Sequence, residues 1–476
     1  MGVSVCASWF GSLFAPQLKE GLDWVNTAGR EVRLADLRGR VVLLDFWTYG
    51  CINCRHVQPR LRELESRFPD TLTVIGVHSG KFAHERITAN LAAACDRQNV
   101  MHAVVNDRQY RIWRSYDVTA WPTVALIGAD GEFLGVQPGE FPLEPMAEAI
   151  ERAIADAEKR GKLLRGPDPV TVPQARADGT LRFPGRVLVD GTRLVIADTG
   201  HRRVLDCELV RVPDGRVAHV IAEHDGFEEP QGLAVLGGRL HVADRAGHAV
   251  WRLTGDEERA RILGTGALGE GSSAGGAGPE LDVRSPWGLV AFRDSLVVGM
   301  AGSHQLWRID PETLDARAWV GTSGEELIDG PLSRALLAQP TGVTAFGAGV
   351  AFADCESSAV RMADEEAGVR TVVGKGLFAF GDKDGVGDAV QLQHAEDVAA
   401  HGGVLAVTDT YNDRLKRIDP STRESVRWDG EAGESGVLRE PAGVSSDGTT
   451  LVVADTGNHR IVVVEPDGAL SEVRLA

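Results

Sequence analysis

The chain has 476 residues, 43% of them apolar, and a formal net charge of −18 at pH 7, enough length for two domains or one large repeat fold. The acidic excess repels nucleic-acid phosphate and anionic lipid, which argues against both as partners, and no run approaches the eighteen apolar residues of a membrane-spanning helix. Cysteines at Cys6, Cys95, Cys207 and Cys355 are scattered rather than arranged as a disulfide framework, which suits a reducing, cytoplasmic compartment.

In chain order, the stretch Val3 to Phe14 is mildly apolar but has no Lys or Arg before it and no clear small-residue cleavage site, so a secretory signal is not expected. Arg38-Gly39 leads into an apolar strand, Val41 to Phe46. A helical spacing of apolar residues follows at Val57, Leu61, Leu64 and Phe68. Between them stands Phe46-Trp47-Thr48-Tyr49-Gly50-Cys51-Ile52-Asn53-Cys54. A Cys-x-x-Cys pair at a strand-to-helix turn places sulfur at a helix start, where free N–H groups and the dipole stabilise a thiolate. Two sulfurs at this spacing can close a small disulfide ring, as dithiol–disulfide exchange requires. Asp45 ends the apolar strand, so it is expected to be buried, with a raised pKa, and to exchange a proton with the second thiol. Pro59 is expected to kink the helix.

The strand Leu72–Val77 ends in His78-Ser79-Gly80, a helix is expected near His84–Gln98, a strand and turn over His102–Asp107, and a short amphipathic piece over Arg108–Tyr116. Thr119-Ala120-Trp121-Pro122-Thr123 precedes the apolar run Val124 to Ile127. A proline there, pre-set as cis, can bring a backbone edge against the sulfurs. Asp130-Gly131 signals a hairpin turn, and Leu143–Arg160 has helical spacing. Strands and helices alternating in this way build an α/β sheet.

Here the chain resembles the thioredoxin superfamily: the Asp-Phe-Trp strand end, Cys-x-x-Cys, the helix proline and Pro-Thr before a strand occur in order. The resemblance implies that Cys51 is the exposed attacking thiol and Cys54 the buried resolving thiol. It implies that Pro122 is the cis-proline of the substrate-binding edge, with Trp47, Trp121 and Thr123 binding the client. Ile52-Asn53 departs from the family's Gly-Pro, and Gly50 replaces an aromatic, which leaves the redox potential open. An idle cysteine pair in a retained fold is one alternative. A zinc site is another, with His56 and His78 as the extra ligands; it needs four ligands, no second Cys-x-x-Cys exists, and no metal or cofactor is expected.

Residues 166–180, with Pro167, Pro169 and Pro173, read as a linker between domains at 1–165 and 181–476. Most of the negative charge lies in the second: residues 1–160 hold 18 Lys+Arg and 20 Asp+Glu, the rest 32 and 48. This half repeats. A Pro-x-Gly turn, a strand, and a second strand ending in Asp recur, with the Asp position at Asp198, Asp244, Met300, Asp354, Asp409 and Asp455. Steps of 46 to 56 residues fit four-stranded blades, so a six-bladed all-β propeller is expected. The pattern resembles the NHL-repeat family, most clearly at Ala454-Asp455-Thr456-Gly457-Asn458-His459-Arg460. The repeated Asp is expected to bond the turn's N–H groups and meet the Arg beyond it, as Asp455 with Arg460. His241, His248, His304, His394, His401 and His459 are read as sharing no repeat position, which argues against a lyase-type metal site. Gly264–Gly278 and Gly374–Gly387 are expected to be mobile rims, and Gly381-Asp382-Lys383-Asp384-Gly385 is taken as a turn rather than a calcium loop.

The two halves together resemble the NHL-repeat-containing protein 2 family, also through Gly76-Val77-His78-Ser79-Gly80-Lys81-Phe82 and Val105-Asn106-Asp107. Larger members carry a further β-rich domain that a chain ending at Ala476 is expected to lack. Two functions follow as expectations. One is a cytoplasmic thiol–disulfide oxidoreductase whose propeller binds a protein client, with a thiol reductant as electron partner. The other is a non-catalytic scaffold with an idle thioredoxin-like domain.

Overall fold

A computed structural model describes residues 14–174, 178–213, 215–255, 258–270, 275–429 and 437–476. Cys6, nearly all of the apolar stretch from Val3, and part of the 264–278 segment lie outside the described residues. The chain divides between residues 177 and 178 into two compact units.

The first unit is a six-stranded sheet with helices on both faces. Its strands are β1 (Trp24–Val25), β2 (Val41–Trp47), β3 (Leu72–His78), β4 (Ala103–Asn106), β5 (Thr123–Ile127) and β6 (Phe133–Pro138), in the order β1-β4-β3-β2-β5-β6. Strands β2, β3 and β4 are parallel, and β5 and β6 are antiparallel to their neighbours. The helices are α1 (Ile52–Arg67), α2 (Thr88–Arg97), α3 (Arg111–Ser115) and α4 (Leu143–Lys159). Strand β2 is central and covered on both sides, which is why it reads as an unbroken apolar run. Val42, Leu44 and Phe46 join one core with Ile112 and Tyr116. Val41 and Leu43 join the other with Val57, Leu61 and Leu64 of α1 and Ile150 of α4. By strand alternation Asp45 lies on this second face, beneath α1. Pro59 sits inside α1, which continues to Arg67. Residues after α4 fold back on this unit: Leu164 donates to the Gly39 carbonyl (2.8 Å), Val172 to that of Asn26 (2.8 Å), and Val170 is buried in the core.

The second unit is a ring of six antiparallel blades. The innermost strands are Arg186–Asp190, Pro230–Leu236, Pro286–Phe292, Pro340–Phe346, Asp397–His401 and Gly443–Ser446. Each packs against the next, and the last packs against the first. They surround a central cavity of about 360 Å³. The Arg186 guanidinium bridges it, donating to the Glu396 carbonyl (2.8 Å) and pairing with Asp397 (3.3 Å). The outermost strands of the first and last blades, Gly215–His224 and Leu470–Leu475, also pair, in parallel.

One pair of contacts repeats around the ring. In five of the six blades, the carboxylate at the recurring position accepts a backbone N–H from the residue sixteen earlier: Arg182 to Asp198 (2.8 Å), Glu228 to Asp244 (2.9 Å), Ala338 to Asp354 (2.7 Å), Gln393 to Asp409 (2.7 Å) and Arg439 to Asp455 (2.7 Å). The expected partner also forms, Arg460 to Asp455 at 2.7 Å and Arg203 to Asp198 at 2.8 Å. Most of the accepted N–H groups therefore come from the chain entering the blade, with a turn N–H, that of Gly247, added at Asp244 (3.2 Å).

Between blades, a side chain four residues after that position accepts the next blade's N–H. The pairs are Ser285 to His248 (3.2 Å), Gln339 to His304 (3.0 Å), His394 to Ser358 (3.0 Å), Glu440 to Asp413 (2.7 Å) and, closing the ring, Phe183 to His459 (3.0 Å). This corrects the sequence reading of the histidines: His248, His304 and His459 do share a repeat position, and each serves as a hydrogen-bond acceptor between blades. All six residues at that position have positive φ, between 44° and 61°. Glycine would relieve that strain but could not supply the acceptor.

Lys416, almost fully buried, pairs with Asp382 (2.9 Å) and Asp384 (3.0 Å), so the chain's own ammonium neutralises the two carboxylates of the calcium-like turn.

Asp455 is fully buried and accepts from Arg439, Asn458 and Arg460. Asp455→Ala strands these donors and is expected to cost about 3 kcal/mol. Denaturant unfolding of the second unit checks it; a loss under about 1 kcal/mol would count against its role in tying down the chain that enters the last blade.

Candidate active site

The turn Thr48–Gly50 joins β2 to α1 and contains no proline, so its shape comes from side chains around it. The buried Glu85 carboxylate accepts the Gly50 N–H (3.0 Å) through one oxygen and the Phe82 N–H (2.9 Å) through the other. The Tyr49 carbonyl accepts from Gln98 Nε2 (2.9 Å) and Arg55 Nε (3.2 Å). The Tyr49 hydroxyl meets His84 Nδ1 at 2.9 Å, and its ring stacks on His78 with centroids 5.3 Å apart.

This frame sets Cys51 as the N-cap of α1. Its sulfur accepts the Cys54 N–H at 3.4 Å, and its carbonyl accepts from Arg55 (3.2 Å). Cys51 is partly exposed, whereas Cys54 is fully buried, and both are free thiols. Burial pushes the Cys54 thiol well up; the hydrogen bond and charge of Cys51 add to the rise, as does the charge of Asp45. Asp45 is fully buried, and desolvation lifts its carboxyl to about 7, with His102 and the Gln58 hydrogen bond opposing the rise. Gln58 Nε2 donates to Asp45 Oδ2 at 3.0 Å; Oδ1 has no hydrogen-bond partner among the described residues.

The Trp121–Pro122 peptide is cis. Phe46 of β2 pairs with Thr123 of β5, which places Pro122 at the Trp47 end of β2, next to the turn that bears Cys51. The Pro122 carbonyl accepts from Gly139 (2.8 Å), and Trp121 donates from Nε1 to the Ser79 carbonyl (3.0 Å) while packing on Trp113. Trp121 is half-buried. Two residues expected to bind a client are not at the surface. Trp47 is fully buried, edge-on to His78, because it ends a strand covered by α1, and Thr123 is buried with Oγ1 bonded to the Ala120 carbonyl (2.8 Å). The two histidines weighed as metal ligands are engaged elsewhere: His56 with Glu140 (2.9 Å), His78 against Tyr49. Among the described residues no group of three or more His, Cys, Asp or Glu side chains is arranged to hold a metal.

Glu85, Gln58, Gln98 and His102 were invisible to motif reading, since nothing in local spacing ties them to the cysteines. Two residues of the Val105-Asn106-Asp107 motif gain a role. Asp107 caps α3, accepting from Arg111 (2.7 Å), Ile112 (3.0 Å) and Trp113 (2.8 Å), and Asn106 holds the Arg86 carbonyl (3.0 Å).

A family model described as thioredoxin-like matches residues 39–133. NHL repeat-containing protein 2 of Bos taurus is 33% identical over 517 residues, covering 96% of this chain and 71% of its own. Protein SUPPRESSOR OF QUENCHING 1, chloroplastic, of Arabidopsis thaliana is 33% identical over 90% of this chain and 44% of its own. Thiol-disulfide oxidoreductase ResA of Geobacillus thermodenitrificans is 28% identical over 26% of this chain and 68% of its own.

Two outcomes follow from the geometry. Iodoacetamide on the native, reduced chain is expected to label Cys51 ahead of Cys54, Cys95, Cys207 and Cys355, all four buried; mass mapping that finds Cys54 or Cys95 first reverses the roles. Asp45 titrates near 3.8 unfolded and about 7 folded. The folded state therefore holds the extra proton in between, and stability falls as pH rises from about 4 to 7. Asp45→Asn is expected to remove that slope from the first unit, a difference of up to about 4 kcal/mol above pH 7. Parallel pH profiles for the two proteins would show that the carboxyl is not so placed.

Proposed function

Because the chain belongs to the NHL repeat-containing protein 2 family, with a thioredoxin-like domain ahead of an NHL β-propeller, we propose that it is a cytoplasmic thiol–disulfide oxidoreductase acting on a protein client that the propeller engages. The observation that supports this most is the asymmetry of the pair: Cys51 is partly exposed at the start of α1, while Cys54 is sealed behind it on the sheet face that carries Asp45. Among the described residues, no helix is long and apolar enough to cross a membrane.

In this reading the Cys51 thiolate attacks one sulfur of a client disulfide. The S–S bond breaks, a mixed disulfide forms, and the client's other sulfur leaves as a thiolate that solvent protonates. Cys54 then gives its proton to the Asp45 carboxylate and attacks the Cys51 sulfur. The mixed disulfide breaks, the second client thiolate leaves, and Cys51–Cys54 becomes a disulfide. The client gains two electrons and the pair loses two; a thiol reductant restores the dithiol. Asp45 suits the proton step because a group titrating near neutral pH both accepts and returns a proton there. Pro122 and Trp121 supply the client edge beside Cys51.

Cys54→Ser is expected to trap a client as a covalent, reductant-sensitive adduct on Cys51, and Cys51→Ser to trap none. Capture of the same partners by both variants, with no reducible adduct, would favour a scaffold in which the cysteine pair is idle.

A further inference from the structure

Asp45 is fully buried, so a proton taken from Cys54 needs a way out that is not direct solvent contact. On the same side of the sheet lies a second buried group without a partner. His102, immediately before β4, is 2% exposed, and neither ring nitrogen has a hydrogen-bond partner among the described residues. Its backbone is fixed by Asn26, whose Nδ2 donates to the His102 carbonyl (3.0 Å). A sealed imidazole with both nitrogens unpaired is costly and calls for a reason.

The neighbours supply one. Gly76 of β3 is the register partner of Asp45. A Cβ at Gly76 would stand 3.4 Å from His102 Nε2 and 2.8 Å from Trp47 Nε1. The missing side chain is what lets the imidazole lie against the strand pair that bears Asp45. On its other side, His102 Nδ1 is 3.6 Å from Glu65 Oε1, just beyond hydrogen-bond reach, and the Glu65 side chain is 31% exposed. The charged groups facing His102 are thus Asp45 from β2 and Glu65 from α1. The positive charge of His102 favours the Asp45 carboxylate, so the two groups sense each other.

We propose that His102 passes the Asp45 proton outward, with Glu65 as its exit to solvent. This rests on the exchange chemistry proposed above. Asp45, having taken the Cys54 proton, gives it to His102 Nε2; the imidazolium gives the Nδ1 proton to Glu65, and solvent takes it from there. When the disulfide is reduced the same steps run backwards. No electron moves along this path: Asp45 and Glu65 return to carboxylates, and His102 is left with its proton on Nε2 until the reverse steps restore it to Nδ1. His102 acts through Asp45 and does not touch the client, so it is a positioning residue.

Two measurements on the full-length chain test this. In the first, reduced protein carries ¹³C-labelled aspartate, with the Asp45 signal assigned through Asp45→Asn. His102→Gln is expected to raise the Asp45 titration midpoint by half a pH unit or more; an unmoved midpoint overturns the proposal. In the second, glutathione disulfide is the probe. His102→Gln and Glu65→Gln are each expected to slow release of glutathione from Cys51 about tenfold near neutral pH, while its initial attachment stays within twofold. Unchanged release in both variants overturns the path, and slowed attachment in both shows a structural role instead. Should wild-type Cys51 fail to react with glutathione disulfide, the exchange reading fails by itself, and the Asp45 midpoint still decides whether His102 is coupled to it.

Discussion

The Cys-x-x-Cys geometry depends on one buried carboxylate. Glu85 lies in a 3₁₀ turn well away from the cysteines in sequence, yet its two oxygens bind the Gly50 and Phe82 N–H groups. That double acceptance pins the segment before Cys51 to the segment after β3. The remaining contacts, from Gln98, Arg55, His84 and His78, all act on Tyr49 within the same turn. A buried carboxylate is stable only when its acceptor capacity is used, so Glu85 and the turn hold each other. With the turn fixed, the helix can start at Cys51 and no earlier, and one sulfur faces outward while the other is sealed.

The propeller solves a different problem with the same type of bond. A blade is a small sheet that cannot bury its faces alone, and a ring of blades must be closed to be stable. Five blades use an Asp to tie down their own entering chain, and five use an acceptor four residues beyond that position to take hold of the next blade, the first blade's Arg202 instead donating to the Phe227 carbonyl (3.0 Å). The first and last blades are joined by the same bond from Phe183 to His459, and by Thr456 Oγ1 on the Pro184 carbonyl (2.7 Å). The ring therefore closes with the grammar of its other junctions, strengthened by the parallel pairing of the two outermost strands.

Much of this was legible in the sequence because the signals were local or periodic. The strand–turn–helix around Cys51, the cis Trp121–Pro122 peptide, the burial of Asp45 and the six repeats each leave a short pattern. Met300 in place of Asp did not break the ring, since its neighbour His304 still reaches Gln339. What escaped was non-local. Glu85, Gln58 and His102 come to the site only once β2, β3 and β4 are parallel neighbours and α1 lies across them. Trp47 was misplaced for a related reason: the pattern marks the strand end but not how far the covering helix extends over it. The histidines misled because three share a position filled by Arg, Ser and Asp in the other blades, so the common feature is a side-chain position and not a residue type.

Both the exposed first thiol and the buried second thiol matter only if the pair cycles between dithiol and disulfide. Equilibrating the full-length chain in a glutathione redox series, quenching, and weighing the Cys51–Cys54 peptide would show it directly. The expected result is one two-electron transition that links Cys51 to Cys54, with a midpoint between about −180 and −300 mV, the range spanned by working protein dithiols and the compartments they serve. A pair that stays reduced across the whole series, or Cys51 joined to glutathione with no Cys51–Cys54 disulfide at any ratio, would contradict it.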